Sequence, residues 1–360
     1  FKQKTAYEIY QCDWSSDVCS SDLVANAQTT VTGNLTVSYK AISNNRTSDK
    51  QANQRGFGKE SQINLTNKGK LNNGLDYVAG FSFEFDGQET GCISALNENT
   101  YIDFISGNTT FTFGSDHIQN PDRELTNIAG YADVDDIASG IAGSYSKAVA
   151  SANSPYQAYG VGVVQNIGVG KFSLYWAPTG SNALAENDQT GNNATDTAAV
   201  LENNNNSAYE IGFTGDLGVK GLDVLAFYNR KDKQDSGATS GNGSYDVKGQ
   251  KFGVSYNTGT VIGAVQQGKT TSSAGEEAKT NSFALGYVVS KDVTIAATYA
   301  KTDVGGTTTT RTSDEKIKML AVGYSLGPVV LNAQYAKISD LGGVSGADGD
   351  AGYISSRVNF

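Results

Sequence analysis

The sequence predicts an all-β chain: a transmembrane antiparallel β-barrel of about sixteen strands, with one long loop folded into its lumen. Three observations carry this expectation. Segments of about ten residues alternate apolar and polar side chains with period two, and they recur from Thr30 to the end of the chain. Short turns and long polar loops alternate between these segments, as they do where long connections gather on one edge of a barrel and tight turns on the other. No run of about eighteen apolar residues is present, so no helix is expected to cross a bilayer. A barrel puts only every second side chain into lipid, which fits a negative mean hydropathy.

The alternation is strictest in Val31–Lys40, where Val31, Gly33, Leu35, Val37 and Tyr39 face one way and Thr32, Asn34, Thr36, Ser38 and Lys40 the other. Such a strand has one apolar and one wet face. Lys59–Lys68 sets Ile63 and Leu65 against Gln62, Asn64 and Thr66; the Asn73-Gly74 hairpin signal follows. Leu75–Phe85 then places Tyr77, Ala79, Phe81, Phe83 and Phe85 opposite Asp76, Gly80, Ser82 and Glu84. Seven short turns are expected near 72–74, 106–108, 167–170, 216–220, 257–259, 290–292 and 326–328. Eight long loops are expected near 41–58, 86–98, 116–155, 178–206, 231–243, 270–280, 302–314 and 338–350. An even strand number lets the first and last strands pair and removes the sheet edges. Tyr39, Phe85, Tyr228, Tyr256, Tyr287, Tyr299, Tyr324 and Tyr335 are expected near strand ends on the lipid face, as interfacial girdles.

Composition narrows the function. Gly 42, Tyr 19 and Phe 14 stand against Pro 4, Met 1 and His 1, an unusual balance for a soluble enzyme. A net charge of −10 argues against a nucleic-acid surface. With one histidine, His117, no His-based metal cluster forms, and no G-x-S-x-G elbow accompanies the abundant Ser and Asp. The glycines of 160–170 lack the following helix and Lys-Ser/Thr of a phosphate loop. Small residues there are better read as letting loops or neighbouring subunits approach closely. Neither catalysis nor a cofactor is expected, and Cys92 reads as a spare thiol.

Residues 1–23 share no pattern with the rest and hold Cys12, Cys19 and Trp14; CDWSSDVCSSDL resembles translated sequencing-adapter read-through. Ala25-Asn26-Ala27 fits the small-x-small cleavage site of a secretory signal peptide. The expected division is therefore 1–27 as a non-native-looking extension with a signal-peptide remnant, and 28–360 as the barrel.

In Asp116–Pro155 the alternation stops for about forty residues, longer than ordinary connections. The stretch carries His117 and the acids Asp116, Asp122, Glu124, Asp133, Asp135 and Asp136. Folded inward, these acids would line one wall of a constriction; alternatively Asp133, Asp135 and Asp136 cap a short helix. They lack the spacing of a calcium loop. Strand parity directs Lys40, Lys68, Lys171, Lys251 and Arg357 into the lumen, with Lys40 and Lys68 equally readable as rim charges.

The last strand, Ala351–Phe360, ends on an aromatic of its apolar face, beside Ile354 and Val358. This ending, the strand and loop rhythm and the long third loop resemble the trimeric general porins of Gram-negative outer membranes, over roughly residues 30–360. The resemblance implies a sixteen-stranded homotrimeric barrel in the outer membrane, among lipids and lipopolysaccharide. It also implies an assembly machinery that reads Phe360, and passive diffusion of ions and small hydrophilic solutes. In that family basic residues face the acidic loop. No dense arginine ladder is visible here, which leads to an expected weak cation preference. The alternatives are a sugar-type selective porin, for which Tyr175 and Tyr353 are few lumen aromatics, and a plugged adhesin or structural barrel.

Overall fold

The computed structural model describes residues 28–45, 53–86, 96–114, 123–130, 159–178, 207–234, 245–272, 277–305 and 313–360. The extension expected at 1–27 lies outside these residues. Sixteen strands run in order: β1 (Gln28–Asn44), β2 (Asn53–Lys70), β3 (Asp76–Asp86), β4 (Leu96–Ser106), β5 (Thr109–Gly114), β6 (Gly160–Asn166), β7 (Lys171–Ala177) and β8 (Ala208–Gly215). They continue with β9 (Leu222–Gln234), β10 (Tyr245–Asn257), β11 (Val261–Ser272), β12 (Glu277–Val288), β13 (Val293–Gly305), β14 (Glu315–Leu326), β15 (Val329–Ser339) and β16 (Gly349–Asn359). Each pairs antiparallel with its sequence neighbours, and β1 pairs with β16, closing the barrel.

The seam is made by the two ends of the described chain. Its register runs from Asn34 opposite Asn359 to Asn44 opposite Gly349. The Gly33 N–H donates to the Phe360 carbonyl at 2.8 Å, and the Phe360 N–H to the Gly33 carbonyl at 3.0 Å. A Cβ on residue 33 would stand 2.5 Å from the Gln62 carbonyl oxygen and 2.7 Å from a Phe360 ring carbon. Gly33 thus lets the terminal aromatic ring lie directly on β1.

Burial is inverted relative to a soluble domain. On β12, Ala278, Thr280, Ser282 and Ala284 are buried, whereas Phe283, Leu285 and Tyr287 are 52%, 62% and 50% exposed. On β1, Asn34 and Thr36 are buried while Val31, Leu35 and Val37 are exposed. A sheet with its large apolar side chains outside and polar ones inside is at equilibrium only with a hydrocarbon surround.

All seven short turns fall where expected. Gly74 closes the first with φ +86°, a left-handed conformation that side chains resist, and the Leu71 N–H donates to Leu75 O at 2.7 Å. Several of the long loops are shorter than expected, because strands continue past the alternating region, whereas the two longest, 115–159 and 178–207, keep their expected length or slightly exceed it. The connection expected at 41–58 is 45–52, that at 270–280 is 273–276, and that at 338–350 is 340–348. The reason is physical. Eighteen residues of β2 extend about 59 Å at about 3.3 Å per residue, more than a tilted strand needs to cross an apolar band about 25 Å tall. Beyond that band both faces meet polar surroundings, so period-two contrast fades although backbone pairing persists. The aromatics also divide. Tyr256, Tyr287 and Tyr324 sit at the short-turn ends and Tyr39, Phe85 and Tyr335 toward the loop ends, but Tyr228 and Tyr299 are nearer mid-strand.

The seam generates a prediction. Gly33→Val drives a side chain into the Gln62 carbonyl and the Phe360 ring, and overpacking of this kind costs roughly 1–3 kcal/mol. Phe360→Ala leaves both backbone hydrogen bonds in place and costs less. Unfolding midpoints of the two variants in detergent micelles check the ranking.

Candidate functional site

The wall is lowest at β5 and β6, and the long connection 115–159 leaves from there. Its described part, Arg123–Gly130, lies inside the barrel along the inner face of β9 to β15. Arg123 ion-pairs with Asp223 of β9. The Gln266 side chain of β11 accepts from the Leu125 N–H at 3.0 Å and donates to Glu124 Oε1 at 3.2 Å. Thr298 of β13 donates its hydroxyl to the Thr126 carbonyl at 3.1 Å. Glu124 Oε1 also stands 3.9 Å from Lys251 Nζ of β10, and the lysine side chain is only 1% exposed. The same ammonium lies 5.8 Å from the Phe227 ring centroid. A lysine this buried requires an opposing charge, which the loop carboxylate supplies.

The apolar side of the segment uses a lane of small residues. Leu125 packs over Gly253, where an added Cβ would meet its Cδ1 at 3.1 Å, and joins Leu225, Phe227, Ala264 and Ala284. Ile128 sits on Gly286, where a Cβ would stand 2.5 Å from its Cγ2. Ala129 lies against Ala296 and Ala321, its carbonyl 2.8 Å from where a Gly323 Cβ would be. Gly130 abuts the Gln334 side chain. Every second strand across this wall therefore offers a glycine at the level of the loop. These glycines lie on β10, β12 and β14, whereas the small residues for which a close approach is expected from the sequence are those of 160–170.

Of the acids expected at the constriction, Glu124 is on the inner wall; Asp116, Asp122, Asp133, Asp135 and Asp136 lie outside the described residues, as do His117 and Cys92. Among the basic residues, Lys251 alone meets the described loop segment. Lys68 and Lys171 are exposed at the short-turn ends of β2 and β7, Arg357 is three residues from the end of the chain, and Lys40 lies toward the loop end of β1. Parity also puts Glu60, Glu84, Asp103 and Glu210 on the lumen face of β2, β3, β4 and β8. Thr112 donates to Asp103 at 2.7 Å and Asn229 to Glu210 at 3.4 Å. Of these four, only Glu84 is among the residues expected on a polar face from the sequence, although the same period-two count gives the others.

A second inward segment was not expected. The connection 340–348 tucks Leu341 fully into the mouth against Ile42, Ile317 and Ile338. The buried Glu315 carboxylate accepts the Gly342 N–H at 2.7 Å. The one signal available was a leucine with two glycines, Leu341-Gly342-Gly343, inside an otherwise polar stretch.

The loop contacts generate a prediction. Gly323→Val and Gly286→Val push Ala129 and Ile128 off the wall toward the pore axis, so single-channel conductance falls in both variants. Glu124→Gln leaves Lys251 without its loop charge. Breaking a buried pair costs on the order of 3–5 kcal/mol, so the loop loosens and open-channel noise rises. Planar-bilayer recordings on barrels that remain heat-modifiable check all three.

Comparison with known proteins agrees with this architecture. The sequence profile of the Gram-negative porins matches residues 23–343. None of the curated proteins matches the chain by sequence. Salmonella typhi OmpF is similar in structure, with a TM-score of 0.61 at 13% identity, covering 92% of this chain and 98% of that one. OmpT of Vibrio cholerae, described in a trimer form, superposes with a TM-score of 0.57 at 15% identity over 93% and 100% of the two chains. A mutant of the Rh. blastica porin does so at 0.56 and 12% identity over 92% and 100%. At these identities the structures establish the fold. The sequence profile, matched over most of the chain, and the closed sixteen-stranded barrel together place this chain in the family of Gram-negative porins.

Proposed function

We propose that the chain is a general diffusion porin. It forms a water-filled, weakly cation-preferring channel for ions and small hydrophilic solutes across the outer membrane. The observation that carries this reading is the course of Arg123–Gly130. The segment follows the inner wall from β9 to β15 with side chains seated on Gly253, Gly286 and Gly323, which narrows the lumen from that side. Selection then rests on width and charge, and neither catalysis nor a cofactor is needed. The cation preference rests on an uneven balance. Glu60, Glu84, Asp103 and Glu210 line the wall away from the loop, whereas Lys251, the expected base nearest the loop, is matched by Glu124. The loop acids Asp116, Asp122, Asp133, Asp135 and Asp136 would add to this field.

The reading includes residues 28–360 as the porin unit, with 1–27 as an extension ahead of it. It also includes a homotrimer, contact with outer-membrane lipids and lipopolysaccharide, and an assembly machinery that recognises the terminal strand through Phe360.

The test is conductance and reversal potential of residues 28–360 refolded into a planar bilayer under a salt gradient. Stepwise openings in threes with a cation-leaning reversal potential are expected. The preference shrinks toward about 1 M salt, where the screening length falls to about 3 Å. Changing Asp133, Asp135 and Asp136 to Asn weakens it further. A folded barrel that passes no current sinks the diffusion reading.

A further inference from the structure

A hollow of about 580 Å³ lies in the inner wall at the seam, on β16, β1 and β2, beyond the strands on which Arg123–Gly130 rests. The register builds it in rows. Tyr353 stands opposite Lys40 and Lys40 opposite Gly56; one row toward the short-turn end, Ser355 stands opposite Ser38 and Ser38 opposite Gly58. Two successive inward positions of β2 are thus glycine, and the strand presents bare backbone there. Parity turns Arg55 and Phe57 outward, where Phe57 packs edge-on against Tyr39 with ring centroids 5.2 Å apart, so both border the hollow through the main chain. A Cβ on residue 56 would meet nothing within 4 Å, so the space over it is open. A Cβ on residue 58 would stand 2.7 Å from Ser38 Oγ, which places that hydroxyl over the floor.

The hollow is chemically uneven. Its loop-end edge is Ile42, which joins Leu341, Ile317 and Ile338 in the buried cluster at the mouth, and Tyr353 packs against the same cluster. Tyr353 and Lys40 are half-buried, side by side in one row. Among the described residues, three polar side-chain groups face the space: the Lys40 ammonium, the Ser38 hydroxyl and the Tyr353 phenol. A sugar with a hydroxyl on nearly every carbon would leave most of its polar groups unpaired there, which is unfavourable. A flat ring bearing a single carboxylate is the better match, because it needs one cation, one further donor and an apolar slot with an aromatic wall.

We propose that Ser38, Lys40, Tyr353 and the glycine floor of β2 form a subsite in the lumen wall for aromatic monocarboxylates. The ring lies over Gly56 beside the Tyr353 ring. The carboxylate takes charge-assisted hydrogen bonds from the Lys40 ammonium and the Ser38 hydroxyl. The lysine gives an anion a local resting place in a pore whose overall preference is for cations. This deepens the pore reading and rests on it, since only a solute that enters the lumen reaches the hollow.

In the experiment the full chain, refolded in non-ionic detergent, is dialysed against radiolabelled benzoate, with acetate and benzamide as competitors. Saturable binding of benzoate is expected, and neither competitor displaces it at equal concentration, because acetate lacks the ring and benzamide the charge. Losing a charge-assisted hydrogen bond corresponds to on the order of a tenfold drop in affinity. That drop is expected in Lys40→Gln, whereas Lys40→Arg keeps binding. Gly56→Leu places a side chain in open space at a position without positive φ, and it is expected to abolish binding in a barrel that stays heat-modifiable. Absence of saturable binding, displacement by either competitor, or unchanged binding in Lys40→Gln or Gly56→Leu overturns the proposal. Conductance of the same barrels in potassium chloride, measured in planar bilayers, separates the two readings. Current without benzoate binding sinks the subsite alone, and benzoate binding without current sinks the pore alone.

Discussion

A backbone in hydrocarbon has no water to bond, and each unpaired N–H or C=O there costs several kcal/mol. The rest of this structure depends on that constraint. An open sheet would leave two edges in lipid, so β1 must find β16, and the chain brings them together with eleven register pairs and a reciprocal Gly33–Phe360 bond. Closure in turn decides what each face meets. Outward residues such as Leu285 and Phe252 face lipid, and the interior is left to Thr, Ser, Asn, Gln and small residues. A barrel this wide cannot fill its centre with strand side chains, so it encloses a water-filled space or takes in loops.

The loop that enters needs a surface to rest on, and an interior of polar side chains offers little hydrophobic attraction. The wall resolves this locally. Gly253, Gly286 and Gly323 remove side chains along one lane, and Leu225 and Phe227 supply the apolar contact that Leu125 completes. Polar groups then fix the position: Gln266 grips Leu125 and Glu124 in two directions, and Thr298 holds the Thr126 carbonyl. The Lys251–Glu124 contact fits the same logic, because neither charge is well solvated and each reduces the burial cost of the other. Loop 340–348 repeats the device at the mouth, exchanging an exposed leucine for a buried one and satisfying the Gly342 N–H with Glu315.

The sequence by itself determined strand identity, strand order, turn positions and side-chain parity. Period two is a local property of about ten residues, and tight turns carry their own chemistry, as at Asn73-Gly74. For that reason Val31–Lys40 could be assigned face by face, and Lys251 directed to the lumen, from the chain alone. Strand ends were less legible, because outside the apolar band a paired strand and a polar loop have the same composition; 338–350 is the example. Tertiary structure decided everything that depends on which residues stand across from one another. Parity says which side chains of two neighbouring strands share a face but not which of them stand opposite one another. It says that Glu124 belongs to a loop without regular pattern, but not that the loop lies on Gly286 and Gly323 or that its carboxylate meets Lys251. Closure and the seating of Arg123–Gly130 come from contacts between residues more than a hundred positions apart, and register from pairing between whole strands, so a pattern local to one strand carries no record of them.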